Sequence, residues 1–184
     1  LDATQRGENL SPQITTSKNY KHWISVEDFK RCVVCKDNHG KIWYISETPS
    51  HKPPVHFNCR CEIKIMEAIT AGTATINGIA GADLKIKYEG KLPDNYVSEN
   101  DLQFFGWHRG KKISKFSPGS QFFGGIYEND DNHLPAKEGR IWYEADINYR
   151  IGYRNNQRVV YSNDGLIFVT YDHYKTFLKL YRRK

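Results

Sequence analysis

The hydrophobic and polar residues of the C-terminal half follow a two-residue period that indicates β-strands. Residues 141–149 read IWYEADINY, and a strand of this sequence would separate its side chains onto two faces. One face would carry Trp142, Glu144, Asp146 and Asn148, and the other Ile141, Tyr143, Ala145 and Ile147. Two further β-rich runs flank Asn-Asp-Gly at 163–165, which is typical of a tight hairpin. We therefore predict a meander of three antiparallel strands.

Short helices are predicted ahead of this meander. Ser98 is a typical helix N-cap with Asp101 three residues later, and Gly106 would end the helix. The run SVEDFKRC at 25–32 predicts another short helix, and KIWYI at 41–45 predicts a strand. The predicted fold class is α+β, with one or more N-terminal helices packed on a C-terminal antiparallel β-sheet and a small Cys-rich N-terminal module.

Changes in composition along the chain predict its domain organisation. The segments are a polar tail or linker at 1–20, a Cys-rich module at 21–67, a linker or weak helix at 68–87 and a strand-rich domain at 88–184. The 39% hydrophobic content can support a core, and no apolar run approaches the roughly 20 residues of a membrane span. The chain begins without methionine, so we expect it to be the C-terminal part of a longer polypeptide.

The net charge of +6 favours a polyanionic partner without identifying one. Residues 1–89 contain 12 basic and 10 acidic side chains, and residues 90–184 contain 15 and 11. The basic excess therefore lies mainly in the strand-rich half.

The predicted meander carries residues suited to phosphodiester cleavage: Glu144, Arg154, Arg158 and His173. RNA supplies its own nucleophile, the 2′-OH, so cleavage needs a base, an acid and fixed cations for the phosphorane. Each residue alone also has a structural interpretation. A strand glutamate is usually solvated, an isolated arginine usually forms a surface ion pair, and a histidine at a strand end can serve only as a hydrogen-bonding group.

The sequence around these residues resembles that of the barnase-type microbial ribonucleases over roughly residues 88–181. The shared motifs, in family order, are KLPDNY (91–96), GW (106–107), PG (118–119), GG (124–125), LP (134–135), W-x-EADINY (142–149), GYRN (152–155), R-x-x-YS (158–162), LI (166–167) and DHY-x-TF (172–177). This resemblance implies a metal-independent endoribonuclease that forms a 2′,3′-cyclic phosphate.

The resemblance also implies roles for individual residues. The expected catalytic set is Glu144 as general base, His173 as general acid, and Arg154 and Arg158 as ligands of the phosphate. Tyr174 would lie beside the scissile phosphate. Asp146 matches a family aspartate that forms buried ion pairs with arginines, so we expect it to be structural.

Two departures from the family pattern concern substrate binding. Glu99 stands where the family has a lysine that assists the phosphate, and the replacement cation would come from Lys111, Lys112 or Lys115, with Lys112 taken as the substrate ligand. The guanine-recognition loop, GGIYENDDNHLP, is one residue shorter and has Asp130 at the position of a recognition arginine. Asn129 and Asp131 are of the same residue types as the family's base ligands at these positions, and we expect them to bind the base. We expect an active ribonuclease with weakened or altered guanine preference.

The N-terminal half contains two close cysteine pairs, Cys32-x2-Cys35 and Cys59-x-Cys61. The spacing fits a tetrahedral structural zinc site, although C-x-C is unusual for zinc. The alternatives are two disulfides between the pairs, or four free buried cysteines. Residues 28–63 resemble the C-terminal module of phage Mu-type head-morphogenesis proteins, a pattern that also precedes the toxic domain of bacterial polymorphic toxins.

The two resemblances together imply the C-terminal toxin region of a polymorphic toxin. Such a protein would be secreted within a larger polypeptide, act as a monomer on RNA in the cytoplasm of a target cell, and be neutralised in the producer by an acidic immunity protein. The alternatives are a secreted scavenging ribonuclease and a non-catalytic RNA-binding or phage-head structural module.

Overall fold

The computed structural model describes residues 11–182, and within this range a single sheet is the main element. Its strands are β1 (Ile14–Ile24), β2 (Ile42–Tyr44), β3 (Glu62–Thr70), β4 (Tyr96–Ser98), β5 (Gln121–Tyr127), β6 (Trp142–Asp146), β7 (Arg158–Ser162), β8 (Ile167–Thr170) and β9 (Leu178–Tyr181). The helices are α1 (Val33–Asn38), α2 (Ala82–Glu89) and α3 (Glu99–Phe104). The molecule is therefore mixed α and β, with few helices.

The strands lie in the order β2-β1-β3-β9-β8-β7-β6-β5-β4. Strands β5 to β9 form the antiparallel meander, and the predicted hairpin at 163–165 is confirmed between β7 and β8. The fold prediction is wrong in one respect: the sheet is neither wholly C-terminal nor wholly antiparallel. Strand β3 pairs in parallel with β9, and β4 pairs in parallel with β5. The N-terminal strands thus cover a sheet edge whose backbone N–H and C=O groups would otherwise lack partners.

The N-terminal segment is more ordered than its polar sequence suggested. Residues 14–20, predicted as tail, belong to β1, and residues 62–70 form a strand that crosses the predicted boundary at 67–68. The helix predicted at 25–32 is wrong, because the helix begins at Val33 with Cys32 as its N-cap. The strand predicted at 41–45 is confirmed as β2.

Each face of the meander carries a hydrophobic cluster. On one face α2 packs against the meander through a cluster that includes Ala82, Ile86, Ala145, Val159 and Val169. On the opposite face, N-terminal residues share a cluster with the meander and the loop after β5: Tyr20, Ile42, Met66, Leu134, Trp142, Val160, Phe168 and Phe177. The N-terminal strands therefore contribute to one continuous core with the meander.

Helix α3 begins as predicted. The Ser98 hydroxyl accepts from the Asp101 backbone N–H at 3.2 Å, and the Asp101 carboxylate accepts from the Ser98 N–H at 3.0 Å. This reciprocal capping box orients the start of α3. Among residues 11–182, no helix has the length and apolar character needed to cross a membrane.

Candidate active site

Strand β6 places Glu144 and Asp146 on the same face of the sheet. Glu144 lies opposite Val160 and Asp146 opposite Arg158 on β7. The β5–β6 pairing is irregular between Phe123 and Gly125, and this brings Gly124 against the Glu144 side chain. A Cβ at position 124 would lie 2.5 Å from Glu144 Oε1. Glycine at this position is therefore what leaves room for the carboxylate.

Asp146 is fully buried and holds the two arginines. Arg154 donates to its carboxylate from Nε at 2.8 Å and from Nη2 at 2.7 Å. Arg158 Nε lies 3.1 Å from Asp146 Oδ1, and the Arg158 side chain is only 4% exposed. The Arg154 guanidinium also stacks over the Phe122 ring at 4.0 Å. These contacts agree with the predicted structural role of Asp146, which hydrogen-bonds Arg154 and forms an ion pair with Arg158.

The electrostatics of this cluster favour charged arginine. Burial lowers the pKa of Arg154, but the hydrogen bonds and charge of Asp146 outweigh that effect and raise it above its usual value. The Arg158 Nη1 group donates to the backbone carbonyls of Asn155 and Gln157 at 2.7 and 2.8 Å. These bonds tie the loop between β6 and β7 to the guanidinium.

His173 and Tyr174 follow β8 in an unusual backbone conformation. Both have positive φ, 60° and 67°, a region that non-glycine residues rarely occupy. The turn is held by the His173 N–H, which donates to the Asn156 carbonyl at 3.0 Å, and by the Tyr174 N–H, which donates to Thr170 Oγ1 at 3.0 Å. The His173 side chain is exposed and therefore accessible to a ligand.

Tyr174 connects this turn to the sheet. Its hydroxyl donates a short hydrogen bond to Glu144 Oε2, and its ring stacks on Tyr127 at 5.1 Å. Burial raises the pKa of Tyr174, and the Glu144 carboxylate raises it further, while Arg158 opposes the change. The phenol therefore stays protonated near neutral pH and acts as a hydrogen-bond donor.

A cleft of about 480 Å³ brings Glu144, His173 and Tyr174 together, and Asp146, Arg154 and Arg158 are not among its lining residues. It is lined by Glu144 of β6, by His173, Tyr174 and Lys175 of the turn after β8, and by residues at the end of β5 and in the loop that follows it: Ile126, Tyr127, Glu128, Asn129, Asp130, Asp131 and His133. We call residues 128–135 the base loop. Of the predicted base ligands, Asp131 is exposed in the cleft, whereas the Asn129 side chain is occupied within the loop. Its amide donates to the Leu134 carbonyl and accepts from the Leu134 N–H, both at 3.0 Å.

The structure places Lys112, the predicted substrate ligand, outside the lining of this cleft. The Lys112 ammonium sits over the Tyr153 ring at 5.3 Å. Instead Glu99 binds Arg109, with Nε to Oε1 at 2.9 Å and Nη2 to Oε2 at 2.6 Å. The hydrogen bonds from Arg109 lower the pKa of Glu99. Arg109, Tyr127 and His133 were not predicted from sequence, because only their partners in the fold distinguish them from ordinary surface residues.

The four cysteines converge in the N-terminal segment as free thiols. Cys35 Sγ lies 4.0 Å from Cys59 Sγ and 3.4 Å from His56 Nε2. The two groups Cys32, Cys35, His56 and Cys35, Cys59, Cys61 each have their ligand atoms within 4.8 Å of one another. Tetrahedral zinc with Zn–S bonds of about 2.3 Å requires S···S distances of about 3.8 Å, so the donor set fits this metal.

Two details of the cluster also suit a metal. His56 Nδ1 is engaged with the Phe57 carbonyl at 2.8 Å, which orients Nε2 towards the thiols. Burial alone would raise the pKa of Cys59, but hydrogen bonds from the backbone at Val55 and Cys61 lower it to about 7. A thiolate, the form that binds zinc, is therefore accessible near neutral pH.

A carboxylate and an exposed imidazole line one cleft, and Asp146, two residues along β6 from that carboxylate, pairs with two arginines. These are the groups that acid–base cleavage of a phosphodiester needs. Residues 80–181 match the model of the ribonuclease family. The chain is 43% identical over 109 residues to the Ribonuclease of Heyndrickxia coagulans, a match that covers 58% of this chain and 99% of that protein. It is equally similar to the Ribonuclease of Bacillus intermedius and that of Bacillus pumilus, covering 67% of each. The chain belongs to the ribonuclease family and is an endoribonuclease.

Proposed function

We propose that the chain cleaves RNA by transesterification, with Glu144 as general base and His173 as general acid. Glu144 takes the proton from the 2′-OH, the 2′-oxygen attacks the adjacent phosphorus, and His173 protonates the departing 5′-oxygen. The products are a 2′,3′-cyclic phosphate and a free 5′-OH. The observation that carries this proposal is the shared cleft of Glu144, His173 and Tyr174 beside the two arginines on Asp146.

The arginines and Tyr174 would stabilise the transition state. The phosphorane develops negative charge, and guanidinium groups held by a buried carboxylate need little reorganisation to meet it. In the free enzyme the Tyr174 phenol orients Glu144 through a hydrogen bond. When RNA binds and breaks that bond, the phenol can donate to a phosphate oxygen instead. Every catalytic group proposed here is a protein side chain, so the proposed chemistry uses no metal.

Glu144→Ala and His173→Ala should each lower kcat by a factor of about 10² to 10⁴, the usual contribution of a general acid or base. Glu89→Gln, which removes an exposed carboxylate paired with Lys85, is the control and should be fully active. The substrate is total RNA, with fragment ends sequenced and assayed for cyclic phosphate, and an oligonucleotide with 2′-deoxyribose throughout should resist cleavage. Activity retained in both alanine variants would refute the assignment.

We further propose that this ribonuclease is the toxic end of a secreted polymorphic toxin and acts in the cytoplasm of a target cell. The N-terminal cysteine pattern supports the proposal, because it resembles the module that precedes the toxic domain in polymorphic toxins. An acidic immunity protein would neutralise the ribonuclease in the producer, since its charge would complement the net charge of +6 on this chain. Cytoplasmic expression in a bacterium should arrest growth for wild type and leave the Glu144→Ala strain unaffected. A harmless, RNA-cleaving wild type would instead favour a scavenging ribonuclease.

We propose that the cysteine cluster holds one structural zinc. Cys32, Cys35, Cys59 and either Cys61 or His56 would supply four ligands, and bound metal would cross-link α1 to the segment before β3. Purified protein should contain one zinc per chain by elemental analysis, and Cys35→Ser should reduce that content and the Tm together. A protein purified under reducing conditions without metal, and with the same Tm after zinc is added, would exclude this site.

A further inference from the structure

The N-terminal segment contacts the base loop directly at His133. The Ile42 backbone N–H, on the outer edge of β2, donates to the His133 carbonyl at 2.8 Å. Gly40 faces the His133 ring, and a Cβ on Gly40 would lie 3.0 Å from Cε1 and 3.2 Å from Nε2. The loop is therefore held by residues that lie outside the 80–181 family match.

His133 also reaches the catalytic turn. Its ring nitrogen Nδ1 lies 3.2 Å from the Tyr174 carbonyl oxygen, so the protonated nitrogen can donate to it. The ring packs edge-to-face on Phe177, with centroids 6.4 Å apart and planes at 83°. One side chain thus joins the base loop to the segment that presents Tyr174 to Glu144.

Leu134, the residue after His133, anchors the loop in the hydrophobic core. Leu134 is 1% exposed and packs in the same core cluster as Tyr20, Ile42 and Met66 of the N-terminal strands. The Asn129 amide closes the loop onto the Leu134 backbone. Without the N-terminal strands, Leu134 would lose apolar neighbours and the His133 carbonyl would lose its backbone donor, so the loop would be held by fewer contacts.

We infer that His133 is a positioning residue for nucleotide binding, and that Gly40 and Ile42 of the N-terminal segment hold it in place. The inference rests on the proposed function, in which residues 128–135 bind the base. It adds that the N-terminal segment is part of the substrate-binding site. His133 contacts Tyr174 only at its backbone carbonyl, while the Tyr174 phenol keeps its own bond to Glu144. His133 therefore acts through the base loop and transfers no proton, so its loss should affect KM more than kcat.

Gly40→Ala tests the inference, with Gly165→Ala as the matched control. Both glycines have positive φ, +82° and +89°, so alanine strains the backbone similarly at each. Only at position 40 does the added methyl group meet another side chain, because nothing lies within 4 Å of a Cβ at Gly165. We expect Gly40→Ala to raise KM for single-stranded RNA about tenfold, the effect of losing roughly one hydrogen bond in the site, with kcat within about twofold. Gly165→Ala should leave both constants unchanged.

A second variant, His133→Ala, removes the ring without straining residue 40 and should give the same rise in KM. If wild type cleaves RNA and neither Gly40→Ala nor His133→Ala differs from Gly165→Ala in KM, the inference is overturned while the proposed function stands. If Glu144→Ala still cleaves RNA, the catalytic assignment fails, and the comparison of KM values at positions 40, 133 and 165 still tests the positioning role.

Discussion

Replacing Asp146 with asparagine should both destabilise the protein and lower its catalytic activity. The side chain of Asp146 is completely buried, and its carboxylate pairs with Arg154 at 2.7 Å and with Arg158 at 3.1 Å. The asparagine side chain would have nearly the same shape but no charge. Two guanidinium groups would then remain in place without their counter-ion.

The structure sets the size of the effect. Arg158 has only 4% of its side chain exposed, so water cannot replace the lost charge there, whereas Arg154 at 28% is partly relieved by solvent. Removing one partner of a buried ion pair costs about 3–5 kcal/mol. Since a domain is stable by only about 5–15 kcal/mol, the loss is a large fraction of the total. At roughly 2–4 °C per kcal/mol for a chain of this size, Tm should fall by about 6–20 °C.

Urea unfolding and thermal melting of wild type, Asp146→Asn and Glu89→Gln measure this directly. The Lys85–Glu89 pair is 36% and 42% exposed, so Glu89→Gln should cost no more than about 0.5 kcal/mol. Assayed at a temperature where it is folded, Asp146→Asn should also have a lower kcat, because Arg154 is no longer oriented. An unfolding free energy within about 1 kcal/mol of wild type would refute the view that Asp146 compensates two buried charges.

Three further predictions concern packing, pH and metal. Gly124→Ala should lower kcat at least tenfold by displacing the Glu144 carboxylate, whereas Gly125→Ala, where a Cβ meets nothing within 4 Å, should mainly lower Tm. Burial lowers the pKa of Lys179 to about 7. The unfolded chain therefore binds more protons between about pH 7 and 10, and this residue makes stability rise with pH across that window. The urea unfolding free energy of Lys179→Met, relative to that of wild type, should be highest at or below pH 7 and should fall as the pH rises to 10. A difference independent of pH would contradict this. Cys35→Ser, or removal of zinc by a strong chelator, should lower Tm and leave kcat nearly unchanged, and complete loss of kcat would contradict a purely structural metal.

The chemistry and the strands that carry it could be predicted from the sequence because they depend on local order. Two-residue alternation in β6, the Asn-Asp-Gly turn and the Ser98 capping box are each set by neighbours along the chain, and each is present in the structure. The family motifs in order identified the enzyme class, and the family match over 80–181 agrees with them.

The N-terminal strand β1 was missed for a physical reason. Its buried residues, Ser17, Tyr20 and Trp23, recur at three-residue spacing, and its pairing with β3 is irregular between Thr16 and Lys21. That irregularity breaks the two-residue alternation that identifies a strand. The partners that stabilise β1 are also distant in sequence, so no local window contains the reason for its conformation.

By itself, the sequence determined which residues are available for chemistry: a carboxylate, an imidazole, two guanidinium groups and four thiols in recognisable motifs. Only the tertiary structure decided how they are held. In the folded chain the Asn129 side chain is hydrogen-bonded within the base loop, Glu99 is paired with Arg109, and Gly40 lies against His133. These choices depend on contacts between segments far apart in the chain, where burial and hydrogen-bond geometry, rather than local propensity, determine which partner each side chain meets.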